Sequence, residues 1–496
     1  MHLWRFIKSR LMLNNESLSV KRIYLLGAFV FLVTAWFSVG FNHFDEHFQI
    51  LEFAGLKLGL TSAGNLPWEY GCMMRPAFQP GFVYLVYKAI SVTGITDPFI
   101  IACIIRLFSA ALTFLSILMM IKAFGPGIRE QRLFKSFLLL SFFLWFIPYN
   151  ASRFSSDTTS GVIFLIGLAW FISRDKLTQS GYLVTGLIMG ISFITRYQVA
   201  FMILGFAAWL LFVKKARILN LVQFSCGIIL AILIGMLIDR WFYGDWVLTS
   251  VNYFRQNLVL GKASAFGTSP WWYYFEQVFM NAIPPMSLVY IAGVILYAWY
   301  YPKDPVTWII VPFLVIHFMI PHKEIRFLFP ILGLLPIIII RSADALLQAR
   351  GENLPGMRLV KICIRLFWYS SMLMMVILAF RPADDQISLY KKLWYSYKTP
   401  VKLYFTEENP YHRAHVDVHF YKRDNLVFKQ VDSVQRIVPS RDTISLVVTT
   451  IPGLPEDKRF NPVLIYSSLP PWVRNFNINH WIERTSFWYV YELKPV

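Results

Sequence analysis

Cysteine, charge and repetition are all scarce in this sequence. The four cysteines, Cys72, Cys103, Cys226 and Cys363, have no paired spacing. Three of them lie inside apolar runs, where a thiol behaves as a small hydrophobe, so neither a disulfide framework nor a metal site is indicated. Only 15% of the residues are charged, and 28 acids face 47 bases for a formal net charge of +19. The bases fall in short clusters between hydrophobic segments and form no basic domain. That argues against a nucleic-acid partner and for the anchoring of membrane helices on their cytoplasmic side. No internal repeat or low-complexity tract stands out, which argues against a transporter built from inverted repeats.

Apolar side chains are abundant: 56% of the residues are hydrophobic and 17% aromatic. Apolar runs recur from residue 22 to residue 380, the pattern of a polytopic α-helical membrane protein. The stretch "MHLWRFIKSRLMLNNESLSVKR" is basic and polar. The run after it is too long for a signal-peptide core and has no small-residue cleavage site, so an uncleaved first helix is expected. Eleven runs are read as spanning helices: 22–41, 98–121, 133–149, 156–173, 180–195, 198–213, 218–238, 283–301, 305–320, 325–341 and 361–380. The run 77–93, "AFQPGFVYLVYKAISVT", decides the topology. If it lies along the interface, the basic loop 122–135 joins Lys21 and Arg22 inside. Arg174 and Lys176, then Lys214, Lys215 and Arg217, then Lys303, then Arg341, Arg350, Arg358 and Lys361 also come out cytoplasmic, as the positive-inside rule prefers. The C-terminus then lies outside. Beyond residue 381 charge rises, and "TISLVVTTI", "PVLIYSS" and "FWYVYEL" read as strands between turn signals. Two domains are expected: a transmembrane module over 1–381 and a small extracytoplasmic α/β domain over 382–496.

With that topology every unusual polar cluster falls on the outer face. "FNHFDEHFQILE" puts Asp45 and Glu46, flanked by His43 and His47, directly behind the first apolar run. They suit a solvated helix cap, since Phe48, Leu51, Phe53 and Leu56 have helical spacing, or a general base held at the membrane surface. "PHKEIRFLFP" packs His322, Lys323, Glu324 and Arg326 beside an apolar helix, against the positive-inside bias. A fork and a point charge at a helix start suit a phosphate. Arg196, in "FITRYQVAF", either snorkels or belongs to the site. Asp157, in "RFSSDTTSG", is either a helix cap or a second acid of the outer site. The loop 251–277 is too long for a connector. Its Trp271, Trp272, Tyr273 and Tyr274 form an interfacial belt or offer flat faces to a sugar or polyprenyl chain, with Asn252 and Asn257 as hydrogen-bonding groups.

Taken in order, these motifs resemble the GT-C superfamily of polyprenyl-phosphate-sugar glycosyltransferases, and within it glycosyltransferase family 22, the mannosyltransferases that extend GPI-anchor and lipid-linked oligosaccharide glycans. That family opens with His-Pro-Asp-Glu followed by Phe-Gln, and this chain has His43, Phe44, Asp45, Glu46, Phe48 and Gln49. "LPWEY", "RPAFQPG", "NYFRQNLVLGKASAFGTSPWWYYF" and "HKEIRF" match further motifs from about residue 22 to 340. Phe44 stands where the family has Pro, and Ser269 where it has His.

The resemblance implies a GT-C fold with membrane-parallel helices in the first outer loop, and an inverting displacement in which an acceptor hydroxyl, deprotonated at the Asp45–Glu46 pair by Asp45, attacks a sugar carried on polyprenyl phosphate. It places the leaving phosphate on His322, Lys323, Arg326 and Arg196. The matching motifs hold candidate sugar or acceptor contacts at His43, Gln49, Trp68 and Glu69, and the residues themselves offer Asn252, Asn257, Trp271, Tyr274 and Asp157 as further candidates. The lipid-linked donor is a co-substrate, and no metal or other cofactor is expected. The partners expected are that donor and a glycan or glycolipid acceptor. A flippase for lipid-linked glycans is the rival reading, but it needs access from both faces. Other sugars, such as aminoarabinose or glucose, and a protein acceptor are rivals within the enzyme class. The membrane expected is a bacterial inner membrane, with the endoplasmic reticulum as the alternative.

Overall fold

The computed structural model describes residues 16–174, 178–350, 358–439, 443–455, 458–469, 471–485 and 487–495. Lys176 and the basic stretch ahead of residue 16 lie outside them. Two compact units are formed, one from Met1–Ser38, Glu69–Val83 and Cys103–Arg381, the other from Val39–Trp68, Tyr84–Ala102 and Pro382–Val496. The division therefore differs from a single cut after residue 381: two stretches of the first outer loop fold with the C-terminal domain.

The helices run in chain order α1 (Glu16–Phe37), α2 (Phe78–Ser91), α3 (Pro98–Phe124) and α4 (Gln131–Phe143). They continue with α5 (Ser156–Ile172), α6 (Gln179–Thr195), α7 (Ala200–Phe212) and α8 (Ile218–Tyr243). Then come α9 (Met286–Tyr300), α10 (Pro305–Met319), α11 (Leu335–Arg350) and α12 (Arg358–Phe380). Among the described residues, five segments are long and apolar enough to cross a bilayer: Val20–Phe37, Pro98–Gly127, Ile218–Tyr243, Ile325–Ala349 and Val360–Phe380. Five shorter apolar helices, α5, α6, α7, α9 and α10, accompany them, and α2 and α4, the latter within the run 133–149 expected to span, are in neither group. The outward faces are apolar. On α1, Leu25, Phe29, Leu32 and Trp36 follow helical spacing and are each more than half exposed. Such a surface has lipid as its natural solvent.

Proline explains two departures from the expected helices. The run 133–149 breaks at Leu144, whose backbone is extended, and resumes as a short helix over Phe146–Ala151. The break places Pro148 in a first turn, where its missing N–H costs no hydrogen bond. The run 325–341 starts as a ten-residue 3-10 helix, Ile325–Leu334, with Pro330 inside it. Small residues set the helix spacing. A Cβ on Gly186 of α6 would stand 1.9 Å from the Phe224 carbonyl oxygen of α8, and one on Gly161 of α5 would stand 2.4 Å from Pro330 Cα. Only bare backbone allows these approaches.

In the second unit, helix α13 (Ile387–Ser396) precedes, among the described residues, seven strands: β1 (Val401–Phe405), β2 (His412–Arg413), β3 (Val416–Asp417), β4 (Leu426–Gln430), β5 (Ile444–Thr449), β6 (Phe460–Ser467) and β7 (Tyr489–Pro495). Five of them form a sheet in the order β4-β1-β5-β7-β6. β1 is parallel to β4 and β5, and β7 is antiparallel to β5 and β6. Central β5 is buried on both faces from Ser445 to Thr449, as its apolar run implies.

The outer-loop stretches are tied to this domain by hydrogen bonds and ring stacking. Glu52, fully buried, accepts the backbone N–H groups of His419 (2.7 Å) and Phe420 (2.9 Å) and the Nε2–H of His47 (2.8 Å) through one oxygen. The His47 ring is stacked between Phe41 and Tyr421. The Tyr395 hydroxyl donates to Asp97 (2.6 Å), and Ala383 N–H donates to the Val39 carbonyl (2.8 Å).

Candidate functional site

In the first unit, the N-terminus of α5, the C-terminal end of α6 and the segment after α10 bring a cationic cluster together. Ser155 caps α5 by accepting from Thr158 N–H, so Asp157 sits in the first turn with its carboxylate directed inward, 2% exposed. Arg196 ends α6 in an extended conformation and is 5% exposed. Its Nε lies 3.0 Å from Asp157 Oδ1 as an ion pair, while its hydrogen bonds go to Gln198 Oε1 (2.9 Å) and Ser156 Oγ (3.2 Å). Arg326 Nη1 lies 3.5 Å from Asp157 Oδ2. One buried carboxylate therefore holds two guanidinium groups, and both of them flank the Phe327 ring. Asp157 was expected either as a plain cap or as an acid facing the acceptor. The cap is Ser155, and Asp157 instead joins the cationic cluster as an acid, because burial without a cation is prohibitive for a carboxylate and the two arginines supply that cation.

The other residues of "PHKEIR" complete the cluster. Arg326 forms a two-bond fork with Glu324, Nε to Oε2 at 2.6 Å and Nη2 to Oε1 at 2.9 Å. His322 faces the Gly267 carbonyl with Nδ1 (3.0 Å) and Glu324 Oε1 with Nε2 (3.1 Å). Both of those oxygens only accept, so each ring nitrogen of His322 faces an acceptor. The Lys323 ammonium donates to the carbonyls of Ser269 (2.9 Å) and Ile320 (2.5 Å), and burial pulls its pKa below the usual lysine range. Ser269 N–H returns a hydrogen bond to the Pro321 carbonyl (2.9 Å). The long loop thus serves as a brace for the cationic segment. Glu324 is the member of this cluster whose pairing the sequence reading left unassigned.

In the second unit the acids stand on a short helix, Phe44–Glu46. The cap is His43, whose Nδ1 accepts Asp45 N–H at 3.1 Å, so Asp45 itself is not the cap residue. Glu46 Oε2 accepts Asn42 N–H at 2.9 Å and closes the turn. The Asp45 side chain is 21% exposed, reachable yet held. A π-helical turn, His47–Glu52, follows and buries Gln49, then an α-helix over Phe53–Leu58 ends at Gly59. Arg413 lies over the rings of Phe41 and Phe44 and pairs with Asp384 at 3.4 Å, so the C-terminal domain contacts the acid turn directly.

The remaining expected contacts separate by burial. Trp68 is 37% exposed and Trp271 62%, so both present ring faces. Glu69 is buried and paired with Arg75 at 3.4 Å. The Asn252 amide donates to the Met73 carbonyl and that of Asn257 to the Tyr253 carbonyl one turn back. Tyr274, expected to offer its ring to a sugar, is 2% exposed and packs on Phe318, because the helix Tyr273–Asn281 turns it into the core.

Solved structures share the fold. ArnT from Cupriavidus metallidurans, bound to undecaprenyl phosphate, superposes with a TM-score of 0.53 at 13% identity over 95% of this chain and 97% of that one. Its apo state gives a TM-score of 0.52 at 14% identity, covering 88% and 93%. Among sequences, Mannosyltransferase APTG1 of Arabidopsis thaliana is 26% identical over 343 residues, covering 66% of this chain and 59% of that protein. GPI mannosyltransferase 3 of Yarrowia lipolytica is 28% identical over 312 residues, 61% and 58% of the two chains. GPI alpha-1,2-mannosyltransferase 3 of Homo sapiens is 24% identical over 290 residues, 58% and 51%. The chain thus spans little more than half the length of the curated relatives it matches. Residues 23–422, which include the acid turn and the cationic segment, match the model of the Alg9-like mannosyltransferase family, and the chain belongs to that family.

Proposed function

We propose that this protein transfers a mannosyl residue from a polyprenyl-phosphate carrier to a hydroxyl of a lipid-linked glycan, at the membrane face opposite its basic loops, with inversion at the anomeric carbon. The observation that carries the reading is the cationic cluster. Arg196, His322, Lys323 and Arg326 are held together at the ends of apolar helices, where the phosphate of a lipid whose tail lies in hydrocarbon has its natural place. Two ammonium N–H groups of Lys323 are engaged by carbonyls, and among the described residues the third is left for a phosphate oxygen. Positive groups fixed in advance stabilise the charge that grows on the leaving phosphate without reorganising during the reaction. Asp45 takes the acceptor proton as general base, and Glu46 holds the turn. Charge stabilisation comes from side chains, and no metal enters the proposal.

The test is transfer itself. The protein is reconstituted in liposomes with radiolabelled polyprenyl-phosphate mannose and an extract of lipid-linked glycans. The expected result is labelled glycan without an ion gradient. Label that crosses the bilayer still attached to its carrier would instead make the protein a flippase, and transfer of a different sugar only would replace mannose.

A further inference from the structure

The proposed reaction carries a release problem within it. The donor phosphate is a diester with one negative charge. When the bond from the anomeric carbon to the phosphate oxygen breaks, its electron pair stays on that oxygen, and the product monoester carries up to two charges near neutral pH. A cluster that favours anions therefore holds the product more tightly than the donor.

The two carboxylates of the cluster differ in their freedom to respond. The Asp157 side chain is 3% exposed, is built into α5 and grips both arginines. The Glu324 side chain is 28% exposed and stands in extended backbone, φ −134 and ψ 143, ahead of the 3-10 helix, with no capping bond from its side chain. Yet Glu324 makes both bonds of the Arg326 fork and also meets His322. Those are the bonds a phosphate makes to an arginine and a histidine. Glu324 therefore occupies the fork in the way an anionic ligand does.

Resting on the phosphate-site reading above, we infer that Glu324 is an internal competitor for the phosphate. It swings off Arg326 when the donor arrives and returns to it to displace the product polyprenyl phosphate. Asp157 keeps the guanidinium groups in place throughout, so the fork does not collapse when Glu324 leaves. The residue acts on release and takes no proton in transfer.

The test uses the full chain in detergent micelles, with wild type, Glu324→Gln, Glu324→Asp and Arg326→Ala checked for equal thermal unfolding, and measures polyprenyl phosphate binding and steady-state transfer. Glu324→Gln is expected to tighten polyprenyl phosphate binding about tenfold, as loss of a charged competitor allows. The KM for donor and kcat are expected to fall together, because release becomes slow. Glu324→Asp keeps the charge but shortens the arm, so it is expected to tighten binding as well. Weaker binding by Glu324→Gln would make the residue a structural prop, and wild-type binding by Glu324→Asp would reduce the effect to charge alone. Either result overturns the inference while leaving the phosphate site intact. Arg326→Ala binding polyprenyl phosphate as well as wild type would overturn the phosphate site, and the inference with it.

Discussion

At the scale of single residues, Asp157 carries the most structural weight in the cluster. Asp157→Asn removes the charge shared by the buried Arg196 and the partly buried Arg326, and breaking the buried Asp157–Arg196 pair from one side costs about 3–5 kcal/mol. The expected outcome is a clear fall in unfolding temperature together with lost donor binding. Lys323 gives a pH signature. Its lowered pKa means that the ammonium is charged below that value and neutral above it, so donor affinity is expected to fall on the alkaline side at a pH below the ordinary lysine range. Lys323→Arg is expected to carry that fall to higher pH in a titration of donor binding. The cationic cluster at "HKEIRF" was legible in the sequence because its charges are adjacent beside an apolar run. The role of Asp157 was hidden because Arg326, one of its partners, lies 169 residues away, and a lone Asp after Ser-Ser reads as a cap.

At the scale of elements, the close approach of α5 to the 3-10 helix sets the spacing of the cluster. Asp157 stands one turn before Gly161, and Arg326 stands one turn before Pro330. Gly161→Leu is expected to push the two elements apart, to separate Asp157 from Arg326 and to lower both unfolding temperature and transfer, with Gly161→Ala intermediate. In the second unit, Glu52→Ala leaves the N–H groups of His419 and Phe420 without their acceptor, at about 1–3 kcal/mol each. Limited proteolysis is expected to cut the stretch 39–68 sooner in that variant. Helix positions were largely readable from apolar runs, and so were β5, β6 and β7. The short strands β1 and β4 were not, since Lys402 and Lys429 interrupt their apolar pattern. The π-helical turn over His47–Glu52 was also beyond periodicity, because it follows from Glu52 reaching the C-terminal domain.

At the scale of the whole molecule, an apolar exterior and a set of buried ion pairs describe a protein solvated by lipid that keeps its charges for an internal purpose. Two stretches of the first outer loop share a compact unit with residues far along the chain, where a single cut after residue 381 was expected. Composition and charge clustering were enough to read a polytopic membrane protein, and motif order pointed to the family. The partition of the loop depends on long-range contacts such as Tyr395 to Asp97, which no local pattern encodes.

The central claim is that Asp45 is the general base of a transfer whose donor is held elsewhere by the cationic cluster. The most direct measurement compares wild type with Asp45→Asn in liposomes, following donor binding and mannose transfer in the same preparation. The expected result is unchanged donor affinity with transfer reduced by about 10²–10⁴-fold, the range removed with a general base. Transfer within a few-fold of wild type by a folded Asp45→Asn would contradict it.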